Sequence, residues 1–204
     1  GDPEANFYWQ DYLGEVDYVR FVFTKARQYF EEFGGNPAEL KLFINDYNLE
    51  SWWDGNAKLK SLIKWIEIWE ADGQTKIDGI GTQMHVSCYA NPDIQASKQE
   101  HVVKMLQLMA ETGKLIKISE LDMGYVDADG NTVATSAMTE EQHQQMAAYY
   151  EFIVSKYFEI IPAAQQYGIT QWCITDASGD LGTGWRGGEP VGLWDLNFNR
   201  KHTC

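Results

Sequence analysis

The chain has 204 residues, 44% of them hydrophobic and 23% charged. It can bury a core of one domain, which excludes a disordered, collagen-like or disulfide-stapled chain. Its 16 basic and 30 acidic side chains leave a net charge of −14, so it should repel phosphate backbones and anionic lipids, and no nucleic-acid or membrane partner is expected. No apolar run is long enough to span a bilayer. Eight Trp, eleven Tyr and nine Phe bring carbohydrate into view early, because sugar rings bind by stacking on aromatic faces. Cys88, Cys173 and Cys204 are odd in number and lack C-x-x-C spacing, so neither a zinc knuckle nor a disulfide framework is indicated. The chain opens on GDPEANFYWQ and stops at RKHTC, and both ends read as cuts through a longer protein.

Helix and strand patterns alternate along the chain. Val16, Val19, Phe23, Ala26, Phe30 and Phe33 mark an amphipathic helix that stops at Gly34-Gly35, and LKLFIND (40–46) reads as a buried strand. Leu59, Leu62, Ile63, Ile66 and Trp69 share a face of a second helix, followed by a strand over 77–86. Ser97 with Glu100 fits a capping box that opens a third helix through Val102, Met105, Leu106 and Met109. LIKISEL (115–121) is the third strand. Thr139 with Gln142 is a second capping box, its helix running towards Pro162, with Gly168 ahead of a strand over 169–175. Four strands, each preceded by a helix, predict an α/β fold with a parallel sheet. The longest polar segments follow the strands, where such folds build their sites. No G-x-G-x-x-G or P-loop follows any strand, which argues against a nucleotide.

Polar residues gather at these strand ends. Asn45, Asp46, Tyr47 and Asn48 follow the first; Gln83 and His85 close the second; Glu120 and Asp122 close the third; Trp172 and Asp176 lie at the fourth. The Q-x-H and E-x-D spacings put each pair on one strand face. Taken singly, Glu120 reads equally well as a solvated strand end, and His85 more readily as a structural histidine. Together on neighbouring strands they describe a carboxylate held ionised by a histidine. A metal would have to use His85, Glu120 and Asp122, since His101, His143 and His202 fall in helices or the tail; no metal is expected. Trp52, Trp53 and Trp185 sit in loops as candidate stacking platforms, whereas Trp65 and Trp69 lie on a helix and read as core. Ser119 lacks a G-x-S-x-G context, so serine hydrolase chemistry is not indicated.

LFINDYNLE, DGIGTQMHV, ISELDM and ITQWCITD…GWR…GLWDLNFNRK, in order and register from about Phe7 to the last residue, resemble the second half of family 10 glycoside hydrolases, the retaining endo-β-1,4-xylanases. The resemblance implies a (β/α)₈ TIM barrel of which this chain supplies about strands five to eight, so that residues 1–204 form the C-terminal half of one catalytic domain. It implies that Glu120 is the nucleophile, oriented and polarised by His85 and Asp122. Gln83 and Trp172 would line the sugar subsite at the cleavage point, Trp185 the neighbouring glycone side, and Tyr47 and Asn48 the leaving-group side. The implied substrate is xylan or xylo-oligosaccharides and no cofactor is required. An insoluble substrate implies a secreted, cell-surface or periplasmic location.

Two local features depart from the family. Its Trp-Gly pair on the last strand reads Trp172-Cys173 here, and GDLGTG lengthens the stretch before Trp185. A third departure is larger. The family's acid/base glutamate follows strand four in an Asn-Glu pair, and this chain contains no Asn-Glu dipeptide. The residues alone would pair Glu120 with Glu50 or Asp46; the resemblance puts the acid outside this chain, in an N-terminal half of the barrel. The chain alone is therefore expected to be incomplete and inactive, with that half or a second copy as its partner. The alternative is a non-catalytic carbohydrate-binding module or assembly half-barrel, neither of which would require Glu120, His85 and Asp122.

Overall fold

A computed structural model describes residues 7–176 and 185–204, so the GDLGTG stretch lies outside the described residues. Helices α1 (Trp9–Leu13) and α2 (Asp17–Glu32) precede strand β1 (Phe43–Tyr47). Helix α3 (Ala57–Glu70) leads to β2 (Gly79–Gln83) and β3 (His85–Tyr89). Helix α4 (Pro92–Glu111) leads to β4 (Leu115–Val126), and α5 (Glu140–Ile160) to β5 (Gln166–Gln171). Every strand pairing is parallel. β1 lies beside β2, β2 and β3 lie end to end beside β4, and β5 takes the other side of β4. Strands adjacent in space are thus consecutive in the chain, with helical crossovers between them.

The two faces of the sheet differ in chemistry. Ile80, Ile116 and Ile118 have no exposed surface and join one core with Val102, Met105, Leu106 and Met109 of α4 and Met146 and Ile153 of α5. The opposite face carries Phe43, Asn45, Ser119 and Tyr167. Phe43 lies across Gly79, where a Cβ would sit 2.1 Å from its ring, and Asn45 lies across Gly81, where a Cβ would sit 2.4 Å from its Oδ1. Both glycines are needed for this close approach. The rings of Phe43 on β1 and Tyr167 on β5 come within 4.7 Å of each other. Two strand positions separate them, so the sheet curls strongly and this face is concave.

Several expectations are corrected. The third helix opens at Pro92, with Asn91 Oδ1 accepting from the amides of Asp93 and Ile94; Ser97 is an interior residue, because the Asn-Pro pair upstream already supplies the cap and the first helical φ. The second expected strand is interrupted at Met84, and the third runs on to Val126. The last strand begins three residues earlier than expected and ends at Gln171, with Gly168 inside it at φ 139°. The short α1, which buries no side chain, was not anticipated. The Thr139 capping box forms as read: Thr139 Oγ1 accepts from the Gln142 amide and Gln142 Oε1 from the Thr139 amide.

Tyr157 ties α5 to the sheet. Its hydroxyl donates to the Ile116 carbonyl at 2.8 Å and accepts from the Gly168 amide at 3.1 Å, with no exposed surface. It bridges β4 and β5 where their ladder slips by one residue between Ile116 and Lys117. Tyr157→Phe takes away both bonds and is expected to cost about 1–3 kcal/mol, seen as a lower urea midpoint at unchanged slope; an unchanged midpoint would show that the hydroxyl contributes nothing.

Candidate active site

A register slip in β4 shapes the site. Thr82 pairs with Ile118 and His85 with Asp122, three steps on one side against four on β4. The other neighbour records the same slip: Ile118 pairs with Ile169 and Leu121 with Gln171, three steps against two. One extra residue is thus accommodated in β4 around Ser119 and Glu120, a β-bulge of the kind that re-aims side chains at sites. Ser119 Oγ donates to Asn45 Oδ1 at 2.7 Å, which occupies Ser119 on the concave face.

Beyond the bulge the two carboxylates grip His85 from opposite ends. His85 Nδ1 lies 3.0 Å from Asp122 Oδ2, and Nε2 lies 3.2 Å from Glu120 Oε2. With Nδ1–H donating to the Asp122 carboxylate, the ring orientation is fixed and Nε2 is turned towards Glu120. Glu120 keeps 19% of its side chain exposed while Asp122 has none. One carboxylate is accessible and the other is part of the floor. Both ring nitrogens are engaged on opposite sides, so His85, Glu120 and Asp122 do not converge on a common point where a metal could sit.

Asp122 has two further donors. Trp185 Nε1 donates to Oδ2 at 2.6 Å and Arg186 donates to Oδ1 at 2.9 Å, both from the short 3-10 turn Trp185–Gly188. On the other wall the Trp172 amide donates to the Leu121 carbonyl at 2.9 Å, setting Trp172 at the end of β5. The Trp172 and Trp185 rings lie 6.0 Å apart and each packs edge-on to His85, at 5.9 and 4.8 Å. The two indoles are about half exposed. They flank the His85 ring whose Nε2 faces Glu120.

At the neighbouring strand ends, Tyr47 and Gln83 are register partners. Tyr47 is 53% exposed, with the Lys58 ammonium 3.6 Å from its ring centroid. Asn48, at φ 57°, turns the chain away from β1. Lys58 also ion-pairs with Asp46 at 2.8 Å, which draws Asp46 towards α3. Glu50 is buried, and burial pushes its pKa up. Neither Asp46 nor Glu50 shares a hydrogen bond with Glu120, His85 or Asp122 among the described residues. Trp53 is exposed and Trp52 half-buried, their rings meeting edge-on at 6.4 Å. Trp69 is core, as expected, and Trp65 is half-buried against it.

The structure brings together Glu120, His85, Asp122, Trp172 and Trp185, and Tyr47 with Gln83. Sequence reasoning missed Arg186. The signal available was indirect: a carboxylate as buried as Asp122 needs a cationic partner, and Arg186 directly follows a Trp already assigned to the site.

The arrangement can present an oriented carboxylate to a ring-shaped substrate. Residues 4–204 match the family model described as glycosyl hydrolase family 10. Endo-1,4-beta-xylanase C of Paenibacillus barcinonensis is 30% identical over 175 residues, 82% of this chain and 14% of that protein. An endo-beta-1,4-xylanase of Cellvibrio japonicus is 30% identical over 166 residues, 79% of this chain and 24% of its own length. Among solved structures, that of a family 10 enzyme from Paenibacillus barcinonensis aligns with a TM-score of 0.76 at 26% identity, covering 100% of this chain and 55% of that one. A mutant xylanase A of P fluorescens subsp. cellulosa in complex with xylopentaose aligns with a TM-score of 0.73 at 25% identity, covering 100% and 59%. The chain spans a minor part of these curated relatives and little more than half of the matched structures. With nearly every residue inside the family model, the chain belongs to glycosyl hydrolase family 10.

Proposed function

We propose that this chain is the nucleophile-bearing C-terminal half of a retaining endo-β-1,4-xylanase barrel. The observation that carries the reading is the chain of contacts Glu120–His85–Asp122 between the indoles of Trp172 and Trp185, in a family 10 chain whose relatives include endo-1,4-beta-xylanases. A xylose ring stacked on the exposed indole surface presents its anomeric carbon to Glu120. A carboxylic acid across the bond protonates the leaving oxygen, Glu120 forms the glycosyl-enzyme, and water releases the sugar with the same acid acting as base. Gln83 contacts the sugar at the cleavage point, and Tyr47 and Asn48 the leaving-group side. An insoluble polymer cannot enter a cell, so the protein acts outside the cytoplasm.

The acid is proposed to come from the complementary half of the barrel, strands one to four. Two observations support this. Asp46 is drawn to Lys58 and Glu50 is buried, so neither candidate carboxyl in this chain is offered to a leaving group. Four parallel strand positions leave β1 and β5 each paired on one side among the described residues, and leave Tyr167 half exposed on the concave face. A barrel is completed by covering both.

Three experiments test the reading. In the complete domain, Glu120→Ala is expected to remove nearly all turnover on xylan, and azide to restore it by forming a glycosyl azide of inverted anomeric configuration; substantial activity without added nucleophile would reject the assignment. Trp172→Ala is expected to reduce kcat/KM on xylo-oligosaccharides by about 1 kcal/mol or more, and unchanged kinetics in a folded variant would make this indole mere packing. Residues 1–204 expressed alone are expected to be silent on xylan and to gain activity when strands one to four are supplied in trans. Full activity of the isolated chain would place the acid within it.

A further inference from the structure

Asp122 carries a charge with no exposed surface, and Arg186 is the cation bound to it. Arg186 is in turn held with unusual completeness. It adopts a left-handed backbone, φ 51°, a strained conformation for a non-glycine residue. One guanidinium nitrogen donates to the Val86 carbonyl at 2.8 Å as well as to Asp122, and the other to Ser87 Oγ at 2.7 Å and Glu189 Oε2 at 2.9 Å. Side-chain exposure is 15% for Arg186 and 13% for Glu189. Burial alone would lower the Arg186 pKa, but Glu189 and Asp122 outweigh it and hold the guanidinium above its ordinary value. Space for the pair exists because residue 124 is glycine: a Cβ there would lie 1.7 Å from Glu189 Oε2 and 2.6 Å from the Arg186 guanidinium.

We propose that Arg186 and Glu189, seated on Gly124, form a positioning pair that sets the charge and orientation of Asp122 and, through His85, the state of Glu120. The inference rests on the proposed role of Glu120. Neither member need touch the sugar, since both act through Asp122. The contacts run Glu189–Arg186–Asp122–His85–Glu120, so a charge removed at either of the first two positions is felt at the far end with opposite sign. Loss of the Arg186 cation makes the neighbourhood more negative, and ionised Glu120 becomes harder to maintain. Loss of the Glu189 anion leaves the guanidinium less neutralised and has the reverse effect. Other titratable groups face the same region from the packed elements: Cys88 on β3, Lys98 on α4, Tyr149 and Tyr150 on α5, Cys173 after β5, and Glu50 after β1. Burial pushes the Cys88 thiol up to about 12, the Cys173 thiol up to about 11, and both tyrosines up. It also raises Glu50 and lowers Lys98, moving each towards its neutral form.

The test compares Arg186→Gln, Arg186→Lys and Glu189→Gln in the active form of the protein. Arg186→Gln is expected to move the acid limb of kcat/KM to higher pH by about half a unit or more, with kcat falling more than KM changes. Glu189→Gln is expected to move it to lower pH, and Arg186→Lys to restore most of the wild-type profile. The low-field proton resonance of His85 Nδ1–H, followed by NMR, is expected to survive in Glu189→Gln and Arg186→Lys and to be lost to exchange in Arg186→Gln. Shifts of the same sign in both charge variants, or none, would overturn the proposal. If Arg186→Gln does not fold, Glu189→Gln decides alone, a downward shift supporting the pair and an unmoved profile rejecting it. A wild type without xylanase activity in any form would remove the functional reading, while the NMR comparison would still decide whether the pair controls His85.

Discussion

Everything at the open end of the sheet depends on one buried carboxylate. Asp122 sits on a parallel strand with no exposed surface, yet its oxygens are met by His85, Trp185 and Arg186. An ion in that position without partners is untenable, and taking one partner from a buried pair typically costs about 3–5 kcal/mol. Its donors come from β3 and from a turn more than sixty residues later in the chain. The free energy of satisfying Asp122 is therefore also what draws the Trp185–Gly188 turn against the sheet and places an indole against His85. Folding and site assembly are the same event here, since the group that aligns His85 is the group that the turn must close upon.

The bulge in β4 is the second constraint. A strictly paired β4 would keep the regular two-residue alternation, with each side chain's direction set by its neighbours' register. The added residue breaks that alternation at Ser119 and Glu120, where two partly exposed positions follow one another. Ser119 then bonds across to Asn45, while Glu120 reaches one end of the His85 ring. The glycines of β2 work with this, because Asn45 and Phe43 can lie close over the sheet only where no Cβ intervenes.

What could be read from the chain follows from which information is local. The periodicities of α2, α3 and α5 and the Thr139 cap are local, and the structure contains them. So are Q-x-H and E-x-D, which identified His85 and the two carboxylates that meet at its ring. The start of α4 was misread because two cap signals lie six residues apart, and only the upstream one is joined to a proline that fixes the first turn. The bulge has no compositional mark, so the register that sets Asp122 rather than Leu121 opposite His85 could not be derived from spacing. Arg186 was beyond reach for another reason. Its partner is 64 positions away, and nothing near Arg186 announces a buried carboxylate. The resemblance assigned roles to residues that spacing had only grouped, but it offered no role for Arg186.

Electrostatics around the floor divide the buried groups into two kinds. Burial displaces Cys88, Cys173, Tyr150 and Glu50 towards their neutral forms. Arg186 is buried as well, but two carboxylates on either side hold its charge. In a medium of low polarity an isolated ion is suppressed while a hydrogen-bonded pair persists. The chain carries a net charge of −14, and a site built from carboxylates within such a field needs at least one cation that burial cannot neutralise. Guanidinium suits that task because its two terminal nitrogens reach Asp122 and Glu189 at once. The choice of arginine at 186, its strained backbone and the missing side chain at 124 thus have a common physical origin in the charge of Asp122.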